Sequence, residues 1–297
     1  MLDQYSRNID YIRISVTDRC NLRCIYCMPQ TRKTYLRQEE LLTYDEIVKL
    51  GIYRSLGIKN VKLTGGEPLV REHIEELIFR LKKECGMGKV TLTTNGILLE
   101  QQLDGLVKAG LDGVNISLDT LNPEHYNSLT GGCHVDRNPS DGNLEAVLRG
   151  MRKAQKQAGI SVKVNCVLMH QTREELLALA ELAKDGVNVR FIELMPIGQG
   201  KEKHTLKEAE VKHILSETYG TIRPCVEKLG SGPAYYRKID GFEGKIGFIS
   251  AISHKFCSGC NRVRMTADGF LKPCLQYETG MDLRTLLRDG VSDAELK

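Results

Sequence analysis

A chain of 297 residues with 41% hydrophobic content can bury a barrel-sized core and a smaller appendage, and no apolar run approaches the about 20 residues a membrane span needs. The N-terminal MLDQYSRNID has no apolar signal core, so the expectation is a soluble, unexported, cytoplasmic protein without a membrane partner. A formal charge of +4, with Lys and Arg spread among acids, argues against a dedicated nucleic-acid binder and leaves an anionic small substrate open.

In chain order, short β-branched runs alternate with amphipathic stretches, the pattern of βα units around a parallel sheet. Strands are expected at residues 11–16, 61–63, 90–93, 114–117, 162–168 and 189–194. Helices are expected at 72–83, 100–109, 143–158 and 172–184, and Thr43-Tyr44-Asp45-Glu46 reads as the capped start of a helix running to Tyr53. Six such units before Gly198 suit an incomplete (βα)6 barrel of the TIM type, because the eightfold form takes about 250 residues. The turn-rich segment 131–142, GGCHVDRNPSDG, reads as a surface loop. Beyond Gly198 a helix at 206–219 precedes antiparallel-looking strands at 235–239, 245–252 and 263–266, with Asp268-Gly269 as a hairpin turn. The expected fold is therefore α/β, with a partial barrel over 1–198 and a separate C-terminal α+β region over 199–297.

Ten cysteines without an export signal imply a reducing compartment, where clustered thiols bind metal more readily than they form disulfides. Six fall into two groups, Cys20/Cys24/Cys27 and Cys257/Cys260/Cys274. The others, Cys85, Cys133, Cys166 and Cys225, stand alone and read as small hydrophobes or inert thiols.

The first group directly follows the first expected strand, hence the C-terminal face of the barrel, where active sites of such folds lie. Thiolates suit zinc or an iron-sulfur cluster, and with only three local ligands one metal position is left for substrate or cofactor. A structural zinc borrowing a remote ligand fits the spacing as well. Cys257-Ser-Gly-Cys260 followed by Cys274 repeats the three-thiol arrangement, and alone it would read as part of a zinc ribbon. The two open positions are expected to face each other across the barrel mouth. Polar residues cluster at the strand ends: Thr64-Gly65-Gly66-Glu67-Pro68, Thr93-Thr94-Asn95-Gly96 and Asn115 to Asp119. Lys163 and Asn165 share one face of the fifth strand, and Arg190 and Glu193 flank the sixth. Such residues inside a barrel require a ligand or a buried ion pair.

The C-x3-C-x2-C run with Tyr26 before its last cysteine resembles the signature of the radical S-adenosylmethionine superfamily. Together with SVTDRCN, LTGGEPL, TTNG, NISLD, RFIE and FCSGCNRVR, the two cysteine groups resemble the GTP 3′,8-cyclase (molybdenum cofactor biosynthesis protein A) family from about Arg13 to the C-terminus. The resemblance implies a lyase with two [4Fe-4S] clusters and S-adenosyl-L-methionine, converting GTP to 3′,8-cyclo-7,8-dihydro-GTP in the first step of molybdenum cofactor biosynthesis. Carried over by position, Cys20, Cys24 and Cys27 match the ligands of the first cluster, and Cys257, Cys260 and Cys274 those of the second. Tyr26, Gly66, Ser117 and Met195 match contacts to S-adenosylmethionine. Arg13, Lys62, Thr93, Lys163, Arg262 and Arg264 match contacts to GTP, the last two arginines also counting as catalytic. Implied partners are GTP, an external electron donor, a downstream cyclic pyranopterin monophosphate synthase and a second copy in a homodimer.

Three departures accompany the resemblance. Lys62 stands where the family has an arginine, which keeps the charge and loses the bidentate fork. The loop at 131–142 is longer than expected. The family's chains continue past the equivalent of Glu295 to a Gly-Gly tail, whereas this sequence ends at Lys297, which suits a cut form, a naturally short form or a cyclase of impaired turnover. Two other readings compete. A peptide-modifying radical enzyme would carry further cysteines after Cys274, and none follow; against a non-catalytic electron carrier or zinc-stabilised module, ferredoxin-type carriers give each cluster four cysteines and need no glycine-rich cofactor loop.

Overall fold

The computed structural model describes residues 2–3, 5–27, 34–131, 143–197, 205–227 and 229–296. Six parallel strands run side by side in sequence order: β1 (Tyr11–Ser15), β2 (Asn60–Thr64), β3 (Lys89–Thr94), β4 (Gly113–Ser117), β5 (Ser161–Leu168) and β6 (Asn188–Glu193). Helices alternate with them: α1 (Tyr44–Lys49), α2 (Ile74–Lys83), α3 (Leu99–Lys108), α4 (Pro123–Thr130), α5 (Asn143–Gln155) and α6 (Arg173–Glu181).

The core lies between the helices and the outer face of the sheet. By the period-two rule, Ile12 and Ile14, Val61 and Leu63, Val90 and Leu92, and Val114 and Ile116 point outward and are buried. They meet the apolar stripes of the helices, such as Ile74, Leu77, Ile78 and Leu81 on α2 and Leu99, Leu103 and Leu106 on α3. Each such side chain contributes about 1.5–3 kcal/mol when fully buried. The alternate positions, Arg13, Lys62, Thr93, Asn115, Lys163 and Arg190, share the inner face. Where a closed TIM barrel fills its interior with branched aliphatics, this lumen is polar.

The expected helix starting at Thr43 forms with a reciprocal cap: the Thr43 side chain accepts from Glu46 N–H at 3.1 Å and Glu46 accepts from Thr43 N–H at 2.7 Å. It ends earlier than expected, tightening after Lys49 into a 3-10 segment, Leu50–Leu56, that stops at Gly57. α4 was not expected, although Asn122 caps it and Pro123 occupies its first turn. Gly131 closes α4, and the remainder of the expected surface loop, with Cys133, lies outside the described residues.

The C-terminal residues add α7 (Glu208–Tyr219), β7 (Arg223–Cys225), β8 (Tyr235–Lys238), β9 (Ile246–Ile249), β10 (Arg262–Met265), β11 (Phe270–Lys272), β12 (Met281–Asp282) and α8 (Leu283–Arg288). The antiparallel pairings expected here occur within β7-β8-β9 and within β10-β11-β12, and Gly269 makes the β10-β11 turn. Both sets then join the barrel sheet: β9 runs parallel to β6 and β10 parallel to β1. One sheet of twelve strands results, in the order β12-β11-β10-β1-β2-β3-β4-β5-β6-β9-β8-β7. Arg288 of α8 returns to α1, donating to Glu46 Oε1 at 2.7 Å.

Candidate active site

The loop after β1 carries Cys20, Cys24 and Cys27 to the C-terminal end of the barrel. Arg71 reaches back to donate to Val16 O and, at 2.7 Å, to Leu42 O, and Arg23 donates to Cys20 O at 2.7 Å and Leu22 O at 2.8 Å. Gly66 N–H donates to Thr17 O at 2.8 Å, and Glu67 N–H to Arg19 O at 2.8 Å. A side chain at Gly66 would place its Cβ 2.1 Å from Arg19 O, so this glycine is what lets the end of β2 approach the cysteine loop. Glu67 is buried and ties β2 to β3, accepting from Thr94 Oγ1 at 2.7 Å and Asn95 N–H at 2.6 Å; burial pushes its carboxyl up to about 7. Tyr26 donates its hydroxyl to Asp119 Oδ2 at 2.7 Å, which fixes the far end of the loop to β4 and, through Asp119 Oδ1 and Val167 N–H at 2.7 Å, to β5.

The described cysteines form no disulfide. Burial, and after it Asp119 and the neighbouring thiols of Cys27 and Cys20, push the Cys24 thiol well up. Among the described residues no three His, Cys, Asp or Glu side chains stand gathered around a metal position. The donor chemistry nevertheless fits an iron-sulfur cluster: soft sulfurs with no carboxylate or imidazole in the set, on a loop braced at both ends. Loading must draw the sulfurs inward and release their protons.

Inside the barrel lies a cavity of about 440 Å³, lined by Arg13, Lys62, Lys89, Lys163, Arg190 and Arg262 together with Thr93, Asn115 and Asn165. Asp112, the acidic residue on its wall, is already held by Lys82 at 3.0 Å and Val90 N–H at 2.6 Å. The cations are therefore poorly compensated. Burial first, then Arg190, Arg13, Lys163 and Arg262, push Lys62 well below the ordinary lysine value. Lys163 is pushed down to about 8 by burial and by Arg190 and Lys89, and Arg264 to about 9 by burial and by Arg13 and Arg262. The Nε atoms of Arg13 and Arg190 are buried without a hydrogen-bond partner. Segment 229–234 closes one side of the cavity, and Lys163 Nζ donates to Leu229 O at 2.8 Å.

The second cysteine group sits elsewhere than expected. Cys257 and Cys260 precede β10, whose Arg262 is the register partner of Tyr11, and Cys274 follows β11, so this group lies at the N-terminal end of β1. The first group lies at the opposite end, separated by the five residues of β1, about 17 Å of strand. The two trios do not face each other across the mouth; they stand at opposite ends of the lumen, because β10 joins β1 in parallel. Cys260 and Cys274 share Arg7 as a neighbour. The loop before Cys257 is anchored by Glu193, which accepts from Ser253 N–H at 2.8 Å, Ile252 N–H at 3.0 Å and the Ser253 hydroxyl.

Arg13, Lys62, Thr93, Lys163 and Arg262 converge on one cavity, with Arg264 beside Arg13 on the neighbouring strand. Ser117 stands at the C-terminal end of β4, and Met195 lies just past β6. Arg190 and Asn165 belong to the same lumen; their inward positions on β5 and β6 were the available signal. Segment 229–234 was missed, its Leu-Gly-Ser-Gly-Pro-Ala sequence being ordinary loop composition.

A polar-lumened partial barrel with a three-thiol loop after its first strand defines a radical S-adenosylmethionine enzyme. Residues 14–183 match the Radical SAM superfamily, and residues 187–297 match Molybdenum Cofactor Synthesis C. A GTP 3′,8-cyclase of Clostridium perfringens is 43% identical over 300 residues, covering 100% of this chain and 90% of the relative. One from Desulforamulus reducens is 41% identical over 302 residues, with coverage of 100% and 90%. The chain belongs to the GTP 3′,8-cyclase family. Among solved structures, Streptococcus suis SuiB bound to precursor peptide SuiA is similar with a TM-score of 0.68, 15% identity, and coverage of 94% of this chain and 63% of that one. At that identity the likeness concerns the fold alone.

Proposed function

We propose that this chain converts GTP to 3′,8-cyclo-7,8-dihydro-GTP, the first step of molybdenum cofactor biosynthesis. The observation that carries the reading is the cation-lined lumen, whose Arg13 and Arg190 Nε atoms are buried and unpartnered. A triphosphate supplies the missing anion: arginine forks take phosphate oxygens bidentately, and Lys62 and Lys163 add point charges.

Cys20, Cys24 and Cys27 hold a [4Fe-4S] cluster, with Tyr26, Gly66, Ser117 and Met195 around S-adenosylmethionine at the C-terminal mouth. A reduced cluster bound there would supply the one electron for reductive cleavage of S-adenosylmethionine, the radical chemistry needed to take hydrogen from C3′ of GTP; once C3′ is bonded to C8, a second electron from the external donor and a proton at N7 would complete the dihydro product. The protein's own part is positional. Arg13, Lys62, Lys163, Arg262 and Arg264 hold the triphosphate, Thr93 offers a hydroxyl, and Arg262 and Arg264 border the reacting nucleotide. Segment 229–234 shields the lumen from water. A second [4Fe-4S] cluster on Cys257, Cys260 and Cys274 would meet the guanine edge from the opposite end. This division of labour follows the partition into 1–198 and 199–297, and calls for an external electron donor, a downstream cyclic pyranopterin monophosphate synthase and homodimer assembly.

The test is anaerobic incubation of the reconstituted protein with S-adenosylmethionine, dithionite and GTP. The reading requires 5′-deoxyadenosine to form in a GTP-dependent way; release indifferent to GTP overturns it.

A further inference from the structure

The segment before β1 folds back on itself, and one ion pair closes the fold. Asp3 Oδ2 accepts from Arg7 Nε at 2.7 Å and lies 2.6 Å from its Nη2, Asp3 Oδ1 accepts from the Tyr5 and Arg7 N–H groups at 2.9 Å each, and Asp3 N–H returns to Arg7 O at 3.0 Å. The clip covers little apolar surface, since Leu2 and Tyr5 beside it are exposed. An ion pair in such a place contributes little to stability. What it fixes is the position of the Arg7 guanidinium.

That position is beside the second cysteine group. The segment continues to Asp10, whose Oδ1 accepts from Asn261 Nδ2 at 2.6 Å, while Asn261 O accepts from the Asp10 and Tyr11 N–H groups at 3.3 Å. Asn261 directly follows Cys260, so the two segments are fastened together where the sulfurs lie. The Arg7 guanidinium interacts electrostatically with both Cys260 and Cys274. Arg7 is not among the residues lining the lumen, so the triphosphate does not account for it. The first cysteine group is surrounded differently: the charged side chain that bears most on Cys24 is the carboxylate of Asp119. Three thiolates around a [4Fe-4S] core bring net negative charge, which grows on reduction, and a cation fixed beside the sulfurs favours the reduced form.

We propose that Arg7 is the charge-balancing residue of the second site, its guanidinium aimed by Asp3 at the negative charge that a cluster and its thiolates bring to Cys260 and Cys274. The inference rests on the second-cluster reading above.

The test is a redox titration of the anaerobically reconstituted protein followed by electron paramagnetic resonance. The second cluster's transition is the one missing from the Cys257→Ala, Cys260→Ala, Cys274→Ala variant. Arg7→Gln removes the cation, and at a fixed potential the reduced-to-oxidised ratio of that cluster should fall about tenfold, a midpoint about 59 mV lower for one electron. Arg7→Lys keeps the charge and should recover most of the shift. Asp3→Asn keeps the oxygen that accepts two backbone N–H groups and removes the opposing charge, so the midpoint should rise. A residue that only held the segment in place would move the midpoint the same way in Arg7→Gln and Asp3→Asn. Shifts of equal sign, no shift in either, or a lysine no better than glutamine overturns the inference. If Arg7→Gln cannot hold the second cluster, retention in Arg7→Lys with the upward shift in Asp3→Asn supports it, and loss in Arg7→Lys overturns it. A parent protein that holds no more iron than the triple variant sinks the second-cluster reading instead, so the two failures are distinct.

Discussion

The Tyr26 hydroxyl donates to Asp119 Oδ2 at 2.7 Å, joining the cysteine loop to a strand end 93 residues further along the chain. Asp119 also accepts Val167 N–H at 2.7 Å through its other oxygen. Truncating it would leave a buried phenol and a buried backbone N–H unbonded. Asp119→Ala is expected to lower unfolding free energy by about 2–4 kcal/mol in denaturant titration, whereas Tyr26→Phe, which keeps the ring, costs about 1–2 kcal/mol. Iron bound at the first site should fall in the same order, and equal effects of the two variants would count against the clamp.

At Gly66 the constraint is steric. A Cβ would stand 2.1 Å from the backbone oxygen of Arg19, which cannot move without shifting Cys20. Gly66→Ala should destabilise the ligand-free protein by about 1–3 kcal/mol and displace the cysteine loop. Iron incorporation at the first site, read from the cluster's visible absorption, is expected to drop; full loading would show that the loop tolerates the shift.

The lumen titrates where lysines ordinarily do not. Lys163 lies at about 8 in the ligand-free protein against an ordinary 10.5. Because its folded value is depressed, the group costs stability below about 8, and that cost disappears as pH rises from about 8 to 10.5. Phosphate favours the charged form, so GTP affinity should hold up to about pH 8 and fall about tenfold by pH 9. Lys163→Gln should bind GTP more weakly at pH 7 and show a flatter profile between pH 7 and 9. Calorimetric titrations across that range decide it; an identical slope in parent and variant assigns the proton elsewhere.

Much of this arrangement was legible in the residues. Lys163 and Asn165 on one face of the fifth strand mark a polar inner side, and the Thr43 cap announces α1. What local sequence could not convey is long-range pairing. β10 has four residues, and nothing in Arg262–Met265 specifies that it runs parallel to β1 rather than only antiparallel to β11. That pairing moves the second cysteine group from the mouth to the far end of the lumen. The role of 229–234 as a wall was hidden for the same reason, since Lys163 and Leu229 meet across 66 residues.

Placing the trios at opposite ends predicts separable sites. A triple Cys257→Ala, Cys260→Ala, Cys274→Ala variant should keep the first cluster and fall from about eight irons per chain to about four. It should still bind S-adenosylmethionine. Loss of all iron would mean that the two sites assemble as one.

The most direct test of the central claim, that the lumen aims the nucleotide's sugar at the cofactor, uses GTP deuterated at C3′. In anaerobic turnover with S-adenosylmethionine and dithionite, deuterium should appear in 5′-deoxyadenosine. Formation of 5′-deoxyadenosine that carries no deuterium while labelled GTP is bound would contradict the account.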